Sequence, residues 1–197
     1  EDGEIDLSDL PGTTAITVDS DNTITNDGEI LAEDTDYVTA IAVRTGTTTG
    51  ITHTGSIELS EDYDREDEDD DDDVDGPLAI GTNRVGIDVE NGGTITGNIL
   101  LDHGSTLYIE GNDSAGVRIG SALDGDYTQQ GTISVIGDNA LGLSLEDDVA
   151  SDVLISGAIT VQGENASAVT IDGDVSGNVT IESSISSTGF TSTSSSN

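Results

Sequence analysis

Apolar residues in this chain alternate with polar ones in short groups. Over residues 131–156 they fall at Ile133 and Val135, then at Leu141, Leu143 and Leu145, then at Val153 and Ile155. A spacing of two is the signature of a strand with one buried face. Gly137-Asp138-Asn139 and Glu146-Asp147-Asp148 part the groups with turn residues. The order recurs 26 residues further on, because residues 131–156 align with 157–182 without a gap. Gly131, Ile133, Val135, Gly137, Asn139, Ala140, Asp148, Val149, Val153 and Ile155 are repeated identically at Gly157, Ile159, Val161, Gly163, Asn165, Ala166, Asp174, Val175, Val179 and Ile181. One period therefore reads as three short strands and three turns, with no helical segment. Stacked hairpins do not account for a period of three strands, whereas a coil returning above its own start does. Each strand then pairs in parallel with its equivalent one rung away, about 4.8 Å distant. The expected fold is an all-β parallel β-helix, or β-solenoid, with seven inward aliphatics in each rung. A single rung cannot bury its own faces, so stacking is obligatory.

The pattern reaches back through insertions and deletions. Ile95-Thr96-Gly97-Asn98-Ile99-Leu100-Leu101 matches the segment from Val175 to Ile181, and Val85-Gly86-Ile87-Asp88-Val89 matches Ala115-Gly116-Val117-Arg118-Ile119. Thr39-Ala40-Ile41-Ala42-Val43 continues the latter side of the coil, and Gly28-Glu29-Ile30-Leu31-Ala32 the strand before it. Six or seven rungs are expected between Thr13 and Phe190. The chain divides into an acidic lead (1–12), N-terminal rungs (13–59), an acidic insertion (60–79), regular rungs (80–190) and a Ser/Thr-rich tail (191–197). Asp113, Asn139 and Asn165 share one register position and predict a vertical ladder at a turn, where Asn and Asp tolerate left-handed backbone.

Composition agrees with a narrow, regular interior. There is one Phe, four Tyr, no Trp and no Met, and 25 Gly against two Pro. Charge adds a constraint of another kind. Asp and Glu number 41, the only cations are Arg44, Arg65, Arg84 and Arg118, and the net charge is −37. Nucleic acid is excluded as a partner, since its binding rests on cations that neutralise phosphates. Anionic membrane surfaces are disfavoured for the same reason. Self-repulsion on this scale favours an elongated shape, bound cations or a salty medium. With no Cys, redox compartment is not legible. No apolar run is long enough to span a bilayer. The chain opens on Glu1-Asp2-Gly3-Glu4, as a processed product would, with no signal-peptide pattern.

Three stretches carry a resemblance. They are Gly131-Thr132-Ile133-Ser134-Val135-Ile136-Gly137-Asp138-Asn139-Ala140-Leu141-Gly142-Leu143, its copy at 157–169, and Val175-Ser176-Gly177-Asn178-Val179 followed by Ile185-Ser186-Ser187-Thr188-Gly189-Phe190. They resemble the passenger domains of bacterial autotransporters of alphaproteobacterial type, closely over residues 80–190 and loosely over 13–59. The resemblance implies a right-handed β-helix, exported to the cell surface or released. It also implies an outer-membrane β-barrel in the full-length precursor. It encodes a fold and a secretion class, not an activity.

The insertion suggests chemistry of its own. Asp71-Asp72-Asp73-Val74-Asp75-Gly76 places carboxylates at positions 1, 3 and 5 and glycine at 6, as a calcium loop does. Position 12 is Thr82 rather than a bidentate Glu, so an EF-hand is ruled out. Asp71, Asp73 and Asp75 remain candidate calcium ligands in a looser loop, against a solvated like-charge segment. No other cofactor is indicated. Catalysis finds little footing. Asp102-His103-Gly104 faintly resembles a polygalacturonase element without its partner motifs, Arg118 has no His beside it in the repeat, and His53 and His103 are too far apart in the repeat for a metal site. Carboxylate pairs such as Asp172 and Asp174 are expected by chance among so many acids.

The expected function is therefore that of an extracellular, non-enzymatic β-helix in adhesion, aggregation or surface coating, with a cell, surface or matrix ligand left open. Its rival is a filament or surface-layer subunit that self-associates end to end or side by side. A polysaccharide-active enzyme is the remaining alternative.

Overall fold

The computed structural model describes residues 3–44, 46, 50–63, 65 and 77–189. They form an all-β solenoid in which six complete rungs and the first strand of a seventh are present. Rung 1 holds β1 (Glu4–Asp6), β2 (Thr14–Val18) and β3 (Ile24–Asn26), so the acidic lead already contributes a strand. Rung 2 holds β4 (Glu29–Glu33), β5 (Thr39–Val43) and β6 (Ile51–His53). Rung 3 holds β7 (Ser56–Ser60), β8 (Val85–Val89), the short β9 (Thr94–Thr96) and β10 (Ile99–Leu101). Rung 4 holds β11 (Thr106–Glu110), β12 (Ala115–Ile119), β13 (Ala122–Asp124) and β14 (Tyr127–Gln129). Rung 5 holds β15 (Thr132–Ile136), β16 (Leu141–Leu145) and β17 (Val153–Ile155). Rung 6 holds β18 (Ile159–Gln162), β19 (Ser167–Ile171) and β20 (Val179–Ile181), and β21 (Ile185–Thr188) opens the seventh.

Equivalent strands pair in parallel and make three walls. Wall A runs β1-β4-β7-β11-β15-β18-β21, wall B runs β2-β5-β8-β12-β16-β19, and wall C runs β3-β6-β10-β14-β17-β20. The register follows the 26-residue period: Ile133 lies on Ile159, Leu143 on Val169, and Val153 on Val179. The earlier matches hold as well. Ile87 pairs with Val117, and the line from Ile95 through Leu123 and Val149 reaches Val175. Like side chains thus stack into columns, such as Ile30, Ile57, Leu107, Ile133 and Ile159 in wall A, all fully buried. A column of equal-sized aliphatics keeps each rung superposable on the next, which is why the period is so strict here.

One inward position differs from the expected one. Seven aliphatics do point inward in rung 5, but Leu141 is not among them, being only half-buried, and Val149 takes the seventh place with 1 % exposure. Gly142 holds the inward site next to Leu141. A Cβ on Gly142 would lie 2.6 Å from Ile159 Cγ2, and one on Gly116 would lie 2.6 Å from Ile133 Cγ2. The glycines of wall B are where wall A's isoleucines reach across. Period-two counting fails here because the ladder skips this position, pairing Ala115 with Leu141 and Val117 with Leu143.

The interior is also less uniformly aliphatic than the composition implies. Wall C buries Tyr127, His53 and Gln129 completely. His53 shares its column with Asn26, and their side chains meet at 3.1 Å between Nδ1 and Nδ2. Burial of the His53 ring depresses its pKa, partly offset by the Thr106 and Asn26 contacts. Gln129 Nε2 donates to the Gly131 carbonyl at 2.5 Å, while Gln129 Oε1 and the Tyr127 hydroxyl have no partner among the described residues.

Turn residues stack as predicted. Asp113, Asn139 and Asn165 have φ of 52°, 56° and 55°, in the left-handed region, and Asn83 continues the ladder at 56°. Neighbouring Asx side chains form a second device. Asn98 Oδ1 accepts from the Asp126 N–H (2.9 Å), Asp126 Oδ1 from the Asp152 N–H (3.2 Å), and Asp152 Oδ1 from the Asn178 N–H (2.7 Å). Asp148 binds the Asp174 N–H likewise at 2.8 Å. Many acids of this chain are therefore backbone acceptors one rung away, satisfying amides that a turn leaves without a ladder partner.

Candidate functional site at the root of the acidic insertion

The corner between walls A and B takes four residues in rungs 4 and 5, residues 111–114 and 137–140, but residues 61–84 in rung 3. The insertion leaves and re-enters the stack here. It has rejoined the ladder by Gly81, whose carbonyl accepts the Asn112 N–H at 2.7 Å, and Arg84 then occupies the register position held by Val38, Ser114, Ala140 and Ala166 in other rungs. A short side chain there points into the corner. Arg84 does the same and is 1 % exposed.

Burying a guanidinium requires donors to be used and charge to be met. Arg84 Nε donates to the Thr35 carbonyl of rung 2 at 2.9 Å, and Nη1 donates to the Glu110 carbonyl of rung 4 at 2.6 Å. Nη1 also faces Glu61 Oε2 at 3.3 Å, an ion pair in which both side chains are 2 % exposed, and Nη2 faces Asp36 Oδ1 at 3.4 Å. Glu61 accepts in turn from the Ile80 N–H (2.8 Å) and the Gly81 N–H (2.7 Å). Gly81 must be glycine, since a Cβ there would collide with the guanidinium.

A second charged group completes the clasp. Arg65 Nη2 binds Glu110 Oε1 at 2.5 Å, and Arg65 Nε donates to the Leu78 carbonyl at 2.7 Å. The Tyr108 hydroxyl donates to Glu110 Oε1 at 2.6 Å, and the Glu61 N–H to Glu110 Oε2 at 3.0 Å. Burial pushes Glu110 toward its neutral form, but the bonds from Tyr108, the Glu61 N–H and Arg65 outweigh it and hold the carboxyl below its ordinary range. Burial, then the Glu110 charge, pushes the Tyr108 hydroxyl up to about 12. Glu61 and Glu110 are thus engaged by several donors each, and their job is to close the insertion's base across three rungs. Above the clasp lies an open cleft of about 380 Å³, lined by Asp34, Asp36, Glu61, Asp62, Ile80 and Arg84 among others.

The residues singled out by sequence are dispersed. Asp71, Asp73 and Asp75 lie outside the described residues; among those described, no group of three His, Asp or Glu is placed to hold a metal ion. Arg118 projects outward from wall B and binds Asp88 of the preceding rung bidentately at 2.9 and 3.0 Å, beside a smaller cleft that includes Glu90 and Glu146. His53 faces the interior, whereas His103 is exposed on a turn capped by Asp102, whose Oδ1 accepts the His103 N–H at 2.8 Å. Asp172 and Asp174 are exposed turn residues. Arg44 pairs with Glu90. Sequence reasoning missed the clasp altogether, although two of only four cations bracket the insertion and one stands where the repeat has small residues. No protein-family model matches the chain, and neither a curated protein nor a solved structure matches it.

Proposed function

We propose that this chain is an extracellular passenger-type β-helix that works as an adhesive or coating surface. The observation that supports this reading most is how the stack spends its chemistry. Several carboxylates that could act as acids or bases are instead bound to backbone N–H groups or to arginines, as at Asp126, Asp152, Glu61 and Glu110. The outward line of wall A is largely polar, running through Leu31, Glu58, Tyr108, Ser134, Thr160 and Ser186. Such faces suit contact with a partner better than turnover of a substrate. The passenger assignment rests on the sequence resemblance, and it expects a signal peptide upstream and a β-barrel downstream in the reading frame.

The test is surface display. Bacteria carrying the chain on an unrelated barrel should attach to host cells or extracellular matrix more than bacteria carrying the barrel alone. Equal attachment sinks the adhesive role. A second reading is a self-assembling filament, in which the half-exposed Val179 (44 %) and Ile181 (54 %) of wall C would be covered by a neighbouring copy. Electron microscopy separates them: axial filaments favour assembly, dispersed short rods favour the passenger. For a calcium loop at Asp71, Asp73 and Asp75, millimolar calcium should raise the melting temperature and slow proteolysis of the insertion, and unchanged behaviour with EDTA removes it.

A further inference from the structure

Among the described residues, six large apolar side chains are more than a third exposed. Ile5, Val179 and Ile181 belong to strands at the two ends of the stack. The other three, Leu10, Tyr37 and Ile80, lie on one corner of three successive rungs, between walls A and B. Backbone bonds fix that succession: the Gly12 N–H reaches the Asp36 carbonyl, and the Tyr37 N–H the Thr82 carbonyl, each at 3.2 Å.

Tyr37 is the informative member. It sits at φ +58°, in the left-handed ladder whose other positions are Gly12, Asn83, Asp113, Asn139 and Asn165. A bulky side chain is disfavoured there, where Gly, Asn and Asp are not. The residue is 61 % exposed, so packing does not offset the strain. A strained residue with its aromatic face in water is held for contact rather than for the fold.

The charge around this ridge selects the partner. Asp9 and Asp34, both left-handed, follow one another at the same corner, and Asp36 and Asp62 border the cleft beside Ile80. Arg84 brings no net positive charge, because Glu61 is buried against it. A second copy of the chain, at −37, is repelled, and so is the chain's own acidic insertion. A cationic segment is attracted at long range, and its ammonium or guanidinium groups can stack on the Tyr37 face while its apolar residues cover Leu10 and Ile80.

We infer that the Leu10–Tyr37–Ile80 ridge with its aspartate rim is the docking surface for a Lys/Arg-rich, apolar-interleaved segment of a partner protein. This deepens the adhesive reading and rests on it. The probe is a short synthetic peptide of alternating Lys and Leu, with Lys-Ser and Glu-Leu peptides of equal length as controls. With isotope-labelled protein at physiological ionic strength, the Lys-Leu peptide should shift amide resonances around Asp9, Leu10, Tyr37 and Ile80. Tyr37→Asn should raise the melting temperature by relieving the left-handed strain and weaken the peptide. Combining it with Leu10→Ser and Ile80→Ser should weaken it by about tenfold or more. Equal affinity for Lys-Leu and Lys-Ser peptides, unchanged affinity in the triple variant, or shifts spread along the turn ladders overturns the assignment. Surface display keeps the two readings apart: if displayed wild type does not attach while the peptide still marks the ridge, the adhesive role fails and the docking surface stands.

Discussion

Rungs 5 and 6 and the corner of rungs 2 to 4 use the same amino acids to opposite ends. In rungs 5 and 6 the corner is short, the columns are Ile on Ile and Val on Val, and carboxylates bond backbone one rung away. At the insertion the corner holds residues 61–84, yet Gly81 and Asn83 still pair with Asn112 of the next rung (2.7 and 2.9 Å), and side-chain charge is added to the ladder: Arg84 and Arg65 reach carbonyls and carboxylates of rungs 2 to 4. A solenoid can admit an insertion where a long cation fastens its base to the neighbouring rungs beside the backbone ladder, and the cost is a buried ion pair that tolerates little change.

Breaking the clasp gives the largest expected effect. Arg84→Ala leaves the buried Glu61 carboxylate without its counter-charge and the Thr35 and Glu110 carbonyls without the guanidinium donor, and should lower unfolding free energy by about 3–5 kcal/mol in denaturant titrations. Next comes the regular side of the comparison. Gly142→Val drives a side chain into Ile159 and the Ala168 carbonyl, and should cost roughly 1–3 kcal/mol or more, whereas the same change at Gly3, which has no atom near its Cβ and no left-handed φ, leaves the core untouched.

His53 separates the two regions by pH. Its folded pKa lies below its ordinary value, so the unfolded chain binds the proton more readily and stability falls as pH drops below about 6.5, by at most ~1.4 kcal/mol per pH unit. Glu110 is also depressed, but its stabilisation is present above the unfolded carboxyl range and is lost only as pH falls through its folded pKa. A His53→Gln variant should flatten the upper part of the acid unfolding profile and leave the lower part. Smaller still, Tyr127→Phe removes a buried hydroxyl without a partner and should stabilise by about 1 kcal/mol. Arg118→Ala, on a pair with the arginine side chain 41 % exposed, should change stability by less than about 1 kcal/mol. An Arg118 effect as large as that of Arg84 would erase the distinction between the two regions.

The walls were legible because repetition makes each position its own control: Ile133 and Ile159 announce a column in the sequence itself. The left-handed ladder was legible too, since Asn139 and Asn165 share a register with Asp113. Leu141 misled because a bend lets a glycine take an inward site, and glycine leaves no hydrophobic trace. The polar interior of wall C escaped because His53, Gln129 and Tyr127 each occur once in their columns, so nothing repeats to reveal them. The clasp escaped for the same reason: Glu61, Arg84 and Glu110 meet across three rungs and belong to no period.

The rung stack has one more consequence, for the ions around it. Six rungs and a further strand at about 4.8 Å each make a stack roughly 30 Å tall. The described residues hold 29 of the 41 acids and all four arginines, so the stack carries about one net charge per 1.2 Å, a higher linear density than the one per 1.7 Å of duplex DNA. A rod of that density behaves as a polyelectrolyte and condenses cations along its length. Every cationic segment that docks on it expels some of those ions, so association gains solvent-ion entropy and weakens along a straight line in the logarithm of salt concentration.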